Sequence, residues 1–344
     1  MSEQTVTTSP EGVVGQETMR AMVRGRYGPA SEVLEMREIP IPQIGRDEVL
    51  VKVHSSSVNA MEWHLMNGKP YVFRAAFGFK PRSNTLGADV SGTVAATGPD
   101  VSRFRPGDEV LGAIGAGAYA ELARAQEQCL VEKPEHVSFE EAAAVGIAGL
   151  TALQGLRDVL RVASGDRVLI IGASGGVGTY AVQVAKALGA VVTAVCSTRN
   201  VDQARALGAD MVVDYEKDDI TRTETRFDAI FDMPGNLTLR ACKSLLAPGG
   251  RYVMVGGAKG DWLGPLFRII RAKFLFAFGD KENANFTAAS RADDLATLAG
   301  MLASGQIRSV IEDTFPLAEI AVPLDRQGGF HARAKTVIRI EGTI

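Results

Sequence analysis

Ile171-Gly172-Ala173-Ser174-Gly175-Gly176-Val177-Gly178 ends an apolar run, Arg167 to Ile171, and opens a stretch of helix-forming residues, Thr179 to Leu188. Glycines at such a junction let a backbone turn tightly and approach a pyrophosphate, whose charge then meets the amides at the helix N-terminus. The spacing is Gly172-x-x-Gly175-x-x-Gly178 rather than Gly-x-Gly-x-x-Gly. Alone it is a weak sign, since a structural glycine turn looks the same. Its surroundings decide. Further apolar runs follow at Val191 to Val195, Met211 to Val213, Asp228 to Phe231 and Arg251 to Val255, with helical stretches between. Two of these end alike, at Ala187-Leu188-Gly189-Ala190 and Ala206-Leu207-Gly208-Ala209, where glycine releases the chain in a left-handed conformation. Strands alternating with helices predict an α/β domain with a doubly wound parallel sheet of the Rossmann kind, and the loop within it predicts dinucleotide binding.

The second run leads into Ser197-Thr198-Arg199-Asn200. An NAD enzyme usually places an acid here, to accept a hydrogen bond from the ribose 2′-hydroxyl. Ser197 and Arg199 suit a 2′-phosphate instead, because arginine donates in a planar fork to phosphate oxygens. A solvated loop arginine would look the same, so the missing acid is the stronger half of the argument. NADPH is the expected cofactor.

The chain has 344 residues, more than one hydrophobic core usually serves, so two domains are expected. Before residue 140 the apolar runs are short and punctuated by glycine and proline: Glu48 to His54, Ser91 to Thr97, Glu109 to Gly112 and Tyr119 to Ala123. They predict a compact, barrel-like β domain. Ser138-Phe139-Glu140-Glu141 reads as a capping box opening an alanine-rich helix that runs towards Leu156. The strand–helix rhythm fades late in the chain, which ends in a β-like run, Lys335 to Ile340, able to return to the first domain. The expected division is a loose tail over 1–19, a catalytic domain over 20–145, a dinucleotide domain over 146–283 and a returning segment over 284–344.

Of the residues, 46% are apolar and 22% charged, with a net charge of −3 and no basic run, so nucleic acid is not an expected partner. Cys129, Cys196 and Cys242 are far apart, which is neither a disulfide framework nor a zinc site. The tail lacks the apolar core of a signal peptide, and a reducing, cytoplasmic setting is expected. The oily stretch from Trp262 to Gly279 carries Arg268, Arg271 and Lys273, so it predicts a buried or oligomer-facing segment rather than a membrane span.

From Met19 to Glu341 the chain resembles the zinc-free quinone oxidoreductase branch of the medium-chain dehydrogenase/reductase superfamily. The likeness is carried by Val58-Asn59, Gly87-Ala88-Asp89-Val90-Ser91-Gly92, Arg105-Pro106-Gly107-Asp108, Gly117-Ala118-Tyr119-Ala120-Glu121 and Ala148-Gly149-Leu150-Thr151-Ala152. The glycine loop and Gly329-Phe330-His331-Ala332-Arg333-Ala334-Lys335 complete it. The resemblance implies a GroES-like β domain, an inserted Rossmann domain, a cleft between them for the active site, and a homodimer. Zinc members have a cysteine where Asn59 stands and a His-Glu pair where Ala88-Asp89 stands, and the four-cysteine lobe is missing, so no zinc is expected. His64, with Glu62 nearby, does not replace the lost set. The likeness further implies that Thr151 faces the nicotinamide carboxamide and that Ser174, Gly175, Gly176 and Val177 meet the pyrophosphate. Tyr215 would sit near the adenosine phosphate, Gly256 would admit the nicotinamide ribose, and Lys335 would approach the cofactor. Ala334 departs from a usual glycine and Ala60 from a frequent proline.

The implied chemistry is hydride transfer from NADPH to a quinone or an α,β-unsaturated carbonyl, an apolar small molecule. Charge gathering on the substrate oxygen needs preoriented donors, for which Asn59, Tyr119 and the cofactor's ribose hydroxyl are candidates. Asn59 as a capping or turn residue is an equal alternative. Protonation from water would explain why no acid pair stands out. The pocket wall is expected from Trp63 to Phe79 and from Trp262 to Phe286. Two other functions fit the same sequence: an NADP-dependent alcohol dehydrogenase working without zinc, and a cofactor-binding protein with little turnover.

Overall fold

The computed structural model describes residues 17–340 apart from 70, 72–73, 75–77, 79, 82, 257–263, 278, 285 and 329–332. Strand β1 (Thr18–Arg24) pairs antiparallel with β2 (Leu34–Pro40). It begins inside the expected tail, because Thr18 lies opposite Pro40 and Met19 is buried opposite Ile39. Residues 1–16 of that tail lie outside the described residues.

The larger β sheet is organised about β3 (Glu48–Val58), which pairs antiparallel with β4 (Asp89–Thr97) and β6 (Leu122–Gln126). Outward from β4 come β5 (Glu109–Ala113) and β7 (Leu130–Glu132), also antiparallel. Period-two alternation sends Val49, Val51 and Val53 into a core with Val90, Val94 and Val110. The strand expected from Tyr119 starts only at Leu122; Ala120 makes a single bridge to Ala21, and Tyr119 is fully buried.

Helix α1 (Ala30–Val33) joins β1 to β2, α2 (Ala60–Asn67) lies between β3 and β4, and α3 (Phe139–Gln154) leads out of the larger sheet. The capping box at the start of α3 is present: Glu141 N donates to Ser138 Oγ at 3.2 Å, and Ser138 N to Glu141 Oε2 at 3.0 Å. One π turn, Gly155–Val159, extends α3. A side chain at Gly155 would come within 2.5 Å of the Phe231 ring, so only glycine lets the turn rest on the next sheet.

That sheet contains β8 (Arg167–Ile171), β9 (Val191–Cys196), β10 (Met211–Asp214), β11 (Phe227–Asp232), β12 (Leu246–Met254) and β13 (Glu282–Ala284). Helices α4 (Gly176–Ala187), α5 (Val201–Ala206), α6 (Leu239–Leu245) and α7 (Gly264–Phe276) connect them. The spatial order is β10-β9-β8-β11-β12-β13, every neighbour parallel. Val168, Leu169 and Ile170 are buried, as strands covered on both faces must be. Gly189 and Gly208 end α4 and α5 with φ of 83° and 99°, the left-handed exits the sequence predicts. Strand order reverses between β8 and β11, and the crevice at that switch point is where such sheets bind ligands.

After α8 (Ala292–Ala303) come β14 (Ile311–Pro316), α9 (Ala321–Gln327) and β15 (Lys335–Arg339). β15 lies antiparallel on β3, with Thr336 opposite Val58, and β14 lies parallel on β15. The returning segment thus completes the first sheet. One core runs through both halves: Leu111 and Val131 share a cluster with Leu150 of α3, Val168 of β8 and Tyr180 of α4. No helix among the described residues is long and apolar enough to cross a membrane.

Candidate active site

At the end of β8 the backbone turns on Gly172, with φ of 82°. A Cβ on Gly178 would lie 2.1 Å from the Gly172 carbonyl oxygen, so glycine is what lets α4 start so close to the strand. Gly175 caps α4 without any side-chain hydrogen bond, and the nearest atom to a Cβ built there is 3.6 Å away. The first amides of α4, at Gly176, Val177 and Gly178, have no partner within the helix. An open cradle of donors at a helix start fits the diphosphate of a nicotinamide dinucleotide.

At the end of β9, Ser197 is buried and its Oγ accepts from Asn200 Nδ2 at 2.9 Å, while Arg199 is exposed. Tyr215 N donates to the Cys196 carbonyl at 3.0 Å, which brings an exposed ring to the same strand end. The acid beside it, Asp214, is occupied: Thr198 Oγ1 donates to it at 2.6 Å, and this bond, with Lys217, holds its carboxyl below the ordinary range.

A short strap crosses the glycine loop. Ala334 N donates to the Ser174 carbonyl at 2.7 Å, and Ala334 forms a parallel bridge with Gly175. Next along the strap, the stem of Lys335 runs beside Gly176, where a Cβ would sit 3.0 Å from Lys335 Cδ. The ammonium then turns into the β domain. It donates to Val58 O at 3.2 Å, Asn59 Oδ1 at 2.6 Å and Asp89 Oδ2 at 3.4 Å.

These groups belong to one buried polar cluster. Asn59 Nδ2 donates to Asp89 Oδ2 at 2.9 Å, Ser57 Oγ donates to the same oxygen, and Ile147 N donates to Asp89 Oδ1 at 2.6 Å. Glu62, on the first turn of α2, accepts from Asn59 N at 2.9 Å and from Ala88 N at 3.0 Å. Burial, helped by the charge of Asp89 and opposed by Lys335, pushes the Glu62 carboxyl up to about 7. Tyr119 OH donates to Ser57 O at 3.3 Å, and burial raises its pKa well above the ordinary phenol value.

Asn59, Tyr119 and Lys335, far apart in sequence, therefore meet in one place. Asn59 is at once the N-cap residue of α2 and part of the cluster. Neither Asn59 nor Tyr119 has a donor to spare: the amide nitrogen of Asn59 donates to Asp89 and, at 3.5 Å, to Glu62 Oε1, and the phenol donates to Ser57. Thr151 Oγ1 donates within α3, to Ile147 O at 2.7 Å. At Gly256 a Cβ would lie 1.9 Å from Met233 O, so a close backbone approach already requires glycine there. Parts of the expected pocket wall, and Gly329 to Ala332 of the closing motif, lie outside the described residues.

Zinc does not fit this cluster. The space between Val58 O, Asn59 and Asp89 already holds an ammonium, and a second cation there would be repelled. Among the described residues no three His, Cys, Asp or Glu side chains converge to hold a metal. Sequence reasoning missed the joint role of Ser57, Glu62 and Asp89. A signal existed for one of them, because Asn59-x-x-Glu62 has N-cap to N3 spacing.

Comparison with known proteins agrees with this fold. The family model for the alcohol dehydrogenase GroES-like domain matches residues 45–135, and that for zinc-binding dehydrogenase matches 207–338. The chloroplastic quinone-oxidoreductase QR1 of Triphysaria versicolor is 33% identical over 334 residues, 93% of this chain and 98% of that one. The mitochondrial NAD(P)H oxidoreductase RTN4IP1 of Homo sapiens is 34% identical over 372 residues, 97% of this chain and 91% of that one. Among solved structures, the quinone oxidoreductase from Coxiella burnetii superposes with a TM-score of 0.83 at 29% identity, covering 94% of this chain and all of its own.

Proposed function

We propose that this chain, which belongs to the quinone oxidoreductase branch of the medium-chain dehydrogenase/reductase superfamily, reduces a quinone or an α,β-unsaturated carbonyl with NADPH and without zinc. One observation carries the reading. A single strap, Ala334-Lys335, ties the glycine loop to a buried ammonium lodged between Asn59 and Asp89.

When bound, the nicotinamide supplies a hydride. The protein's part is to hold and to polarise. The amides of Gly176, Val177 and Gly178 would grip the diphosphate, while Ser197 and Arg199 would receive the 2′-phosphate. With Asp214 tied to Thr198, no acid at that strand end competes for the ribose. On the substrate side, the fixed charge of Lys335 would favour negative charge on a nearby oxygen. The raised carboxyl of Glu62 is buried, with its oxygens accepting from Asn59 N and Ala88 N, so water is the proton source in this reading.

The test is the loss of NADPH absorbance when phenanthrenequinone or a simple enone is added. Turnover that persists after exhaustive chelation, with no NADP reduction by primary alcohols, is the expected result. Binding of NADPH without consumption across a broad acceptor panel, or inactivation by a chelator, would overturn the proposal.

A further inference from the structure

Arg333 immediately precedes the strap, and nothing above gives it a role. Its backbone is fixed twice, by Glu312 Oε2, which accepts from Arg333 N at 3.1 Å, and by the neighbouring bond from Ala334 N to the loop carbonyl of Ser174. Its side chain reaches across to α5, where Nε donates to Gln203 Oε1 at 2.9 Å. α5 follows directly on Ser197-Thr198-Arg199-Asn200. The guanidinium therefore lies between the phosphate loop and the end of β9, the two places where the dinucleotide's anionic groups would rest.

Two features of this side chain are those of a waiting cation. Its two terminal nitrogens bond to no described protein group, and the residue is half-buried rather than fully solvated. An arginine held at Nε keeps its outer fork in a fixed plane, the geometry that donates to two phosphate oxygens side by side. Around it, Gln203 has used its carbonyl on Arg333 while its buried amide nitrogen has no acceptor, and the buried carbonyl of Asn200 has no donor. The unmatched amide donor of Gln203 calls for an acceptor, which a phosphate oxygen would supply.

We infer that Arg333 is a specificity-determining residue: oriented by Gln203, it binds the 2′-phosphate of the adenosine ribose. This inference rests on the NADPH reading above and adds a cation from the returning segment to a site otherwise built from the Rossmann sheet. Since the strap also carries Lys335, the segment would read the cofactor's phosphate and orient the substrate-side amide within three residues.

The experiment titrates NADPH and NADH, by fluorescence, into the wild-type protein, Arg333→Gln, Arg333→Lys and Gln203→Leu. The expected result is a loss of NADPH affinity of tenfold or more in Arg333→Gln, with NADH changed less than twofold. Arg333→Lys should fall between, because a point charge replaces the fork. Gln203→Leu keeps the guanidinium but frees it, and should weaken NADPH about threefold. Retained NADH binding reports that the fold is intact; if Arg333→Gln does not fold, Gln203→Leu decides by the same selectivity. Equal losses for both nucleotides would assign Arg333 to the diphosphate and overturn the inference, as would no loss at all. A wild-type protein with equal affinity for both nucleotides refutes NADPH preference by itself, while a selective effect of Arg333→Gln would still uphold the contact. Binding of neither nucleotide sinks both.

Discussion

Lys335 Nζ and Asn59 Oδ1 lie 2.6 Å apart although 276 positions separate them in the chain. The bond joins the last β strand to the end of β3 and sits against the side of the glycine loop. Its energetics govern much of what can be measured on this protein.

Lys335→Met keeps the stem beside Gly176 and removes the charge. Asp89 is then buried without its cation, a situation that costs about 3–5 kcal/mol. Denaturant unfolding should show a loss of that order, and kcat with a quinone should fall at least tenfold. Unchanged stability would mean that the ammonium is not desolvated in the cluster.

Glu62 keeps its proton up to about pH 7 in the fold, against an ordinary value of 4.5. Between those values the folded state binds more protons than the unfolded chain, so this carboxyl makes stability fall as pH rises through the window. Glu62→Gln removes that slope at the constant cost of one accepted hydrogen bond. The difference between variant and wild type should move in the variant's favour by roughly 2–3 kcal/mol between pH 5 and 8. A difference that stays flat would show Glu62 ionised throughout.

Ala334 holds φ at 54°, a left-handed conformation that L residues with a Cβ resist. Ala334→Gly relieves the strain and keeps the amide bond to Ser174. Allowing for the extra entropy of glycine in the unfolded chain, a net gain of about 0.5–1 kcal/mol is expected. The denaturation midpoint checks it; a loss would mean that the methyl group packs more usefully than the strain costs.

On α7, Phe267, Ile270 and Phe274 are 57%, 41% and 71% exposed, at spacings that align them along one face. This is where the expected homodimer would form its seam. Replacing Phe267 and Phe274 by serine should halve the mass measured by light scattering, and an unaltered mass would place the seam elsewhere or deny it.

The glycine loop, the helix exits at Gly189 and Gly208 and the capping box at Ser138 were legible because each depends on residues within one or two turns of chain. The parallel sheet was legible because its strands, buried on both faces, read as plain apolar runs. The polar cluster was not. Asp89 sits in a strand pattern that announces only burial, and what makes it part of a site is Lys335 arriving from the far end of the sequence. The partners of Asn59 were hidden for the same reason: its residue type invites either a cap or a donor to substrate, and only tertiary contacts show that both ends of its amide are taken.

The pairing of Thr336 with Val58 has a further consequence for biosynthesis. While the polypeptide emerges from the ribosome, β6 can cover Glu48 to Lys52 of β3 early, but Ser55 to Val58 on that flank must wait bare until nearly the whole chain has been translated. The Rossmann sheet, contiguous in sequence, has every neighbour it needs long before that moment. Ribosome-bound intermediates should therefore carry a finished nucleotide domain beside an unsealed β domain, and that bare flank is the adhesive edge a chaperone would have to shield.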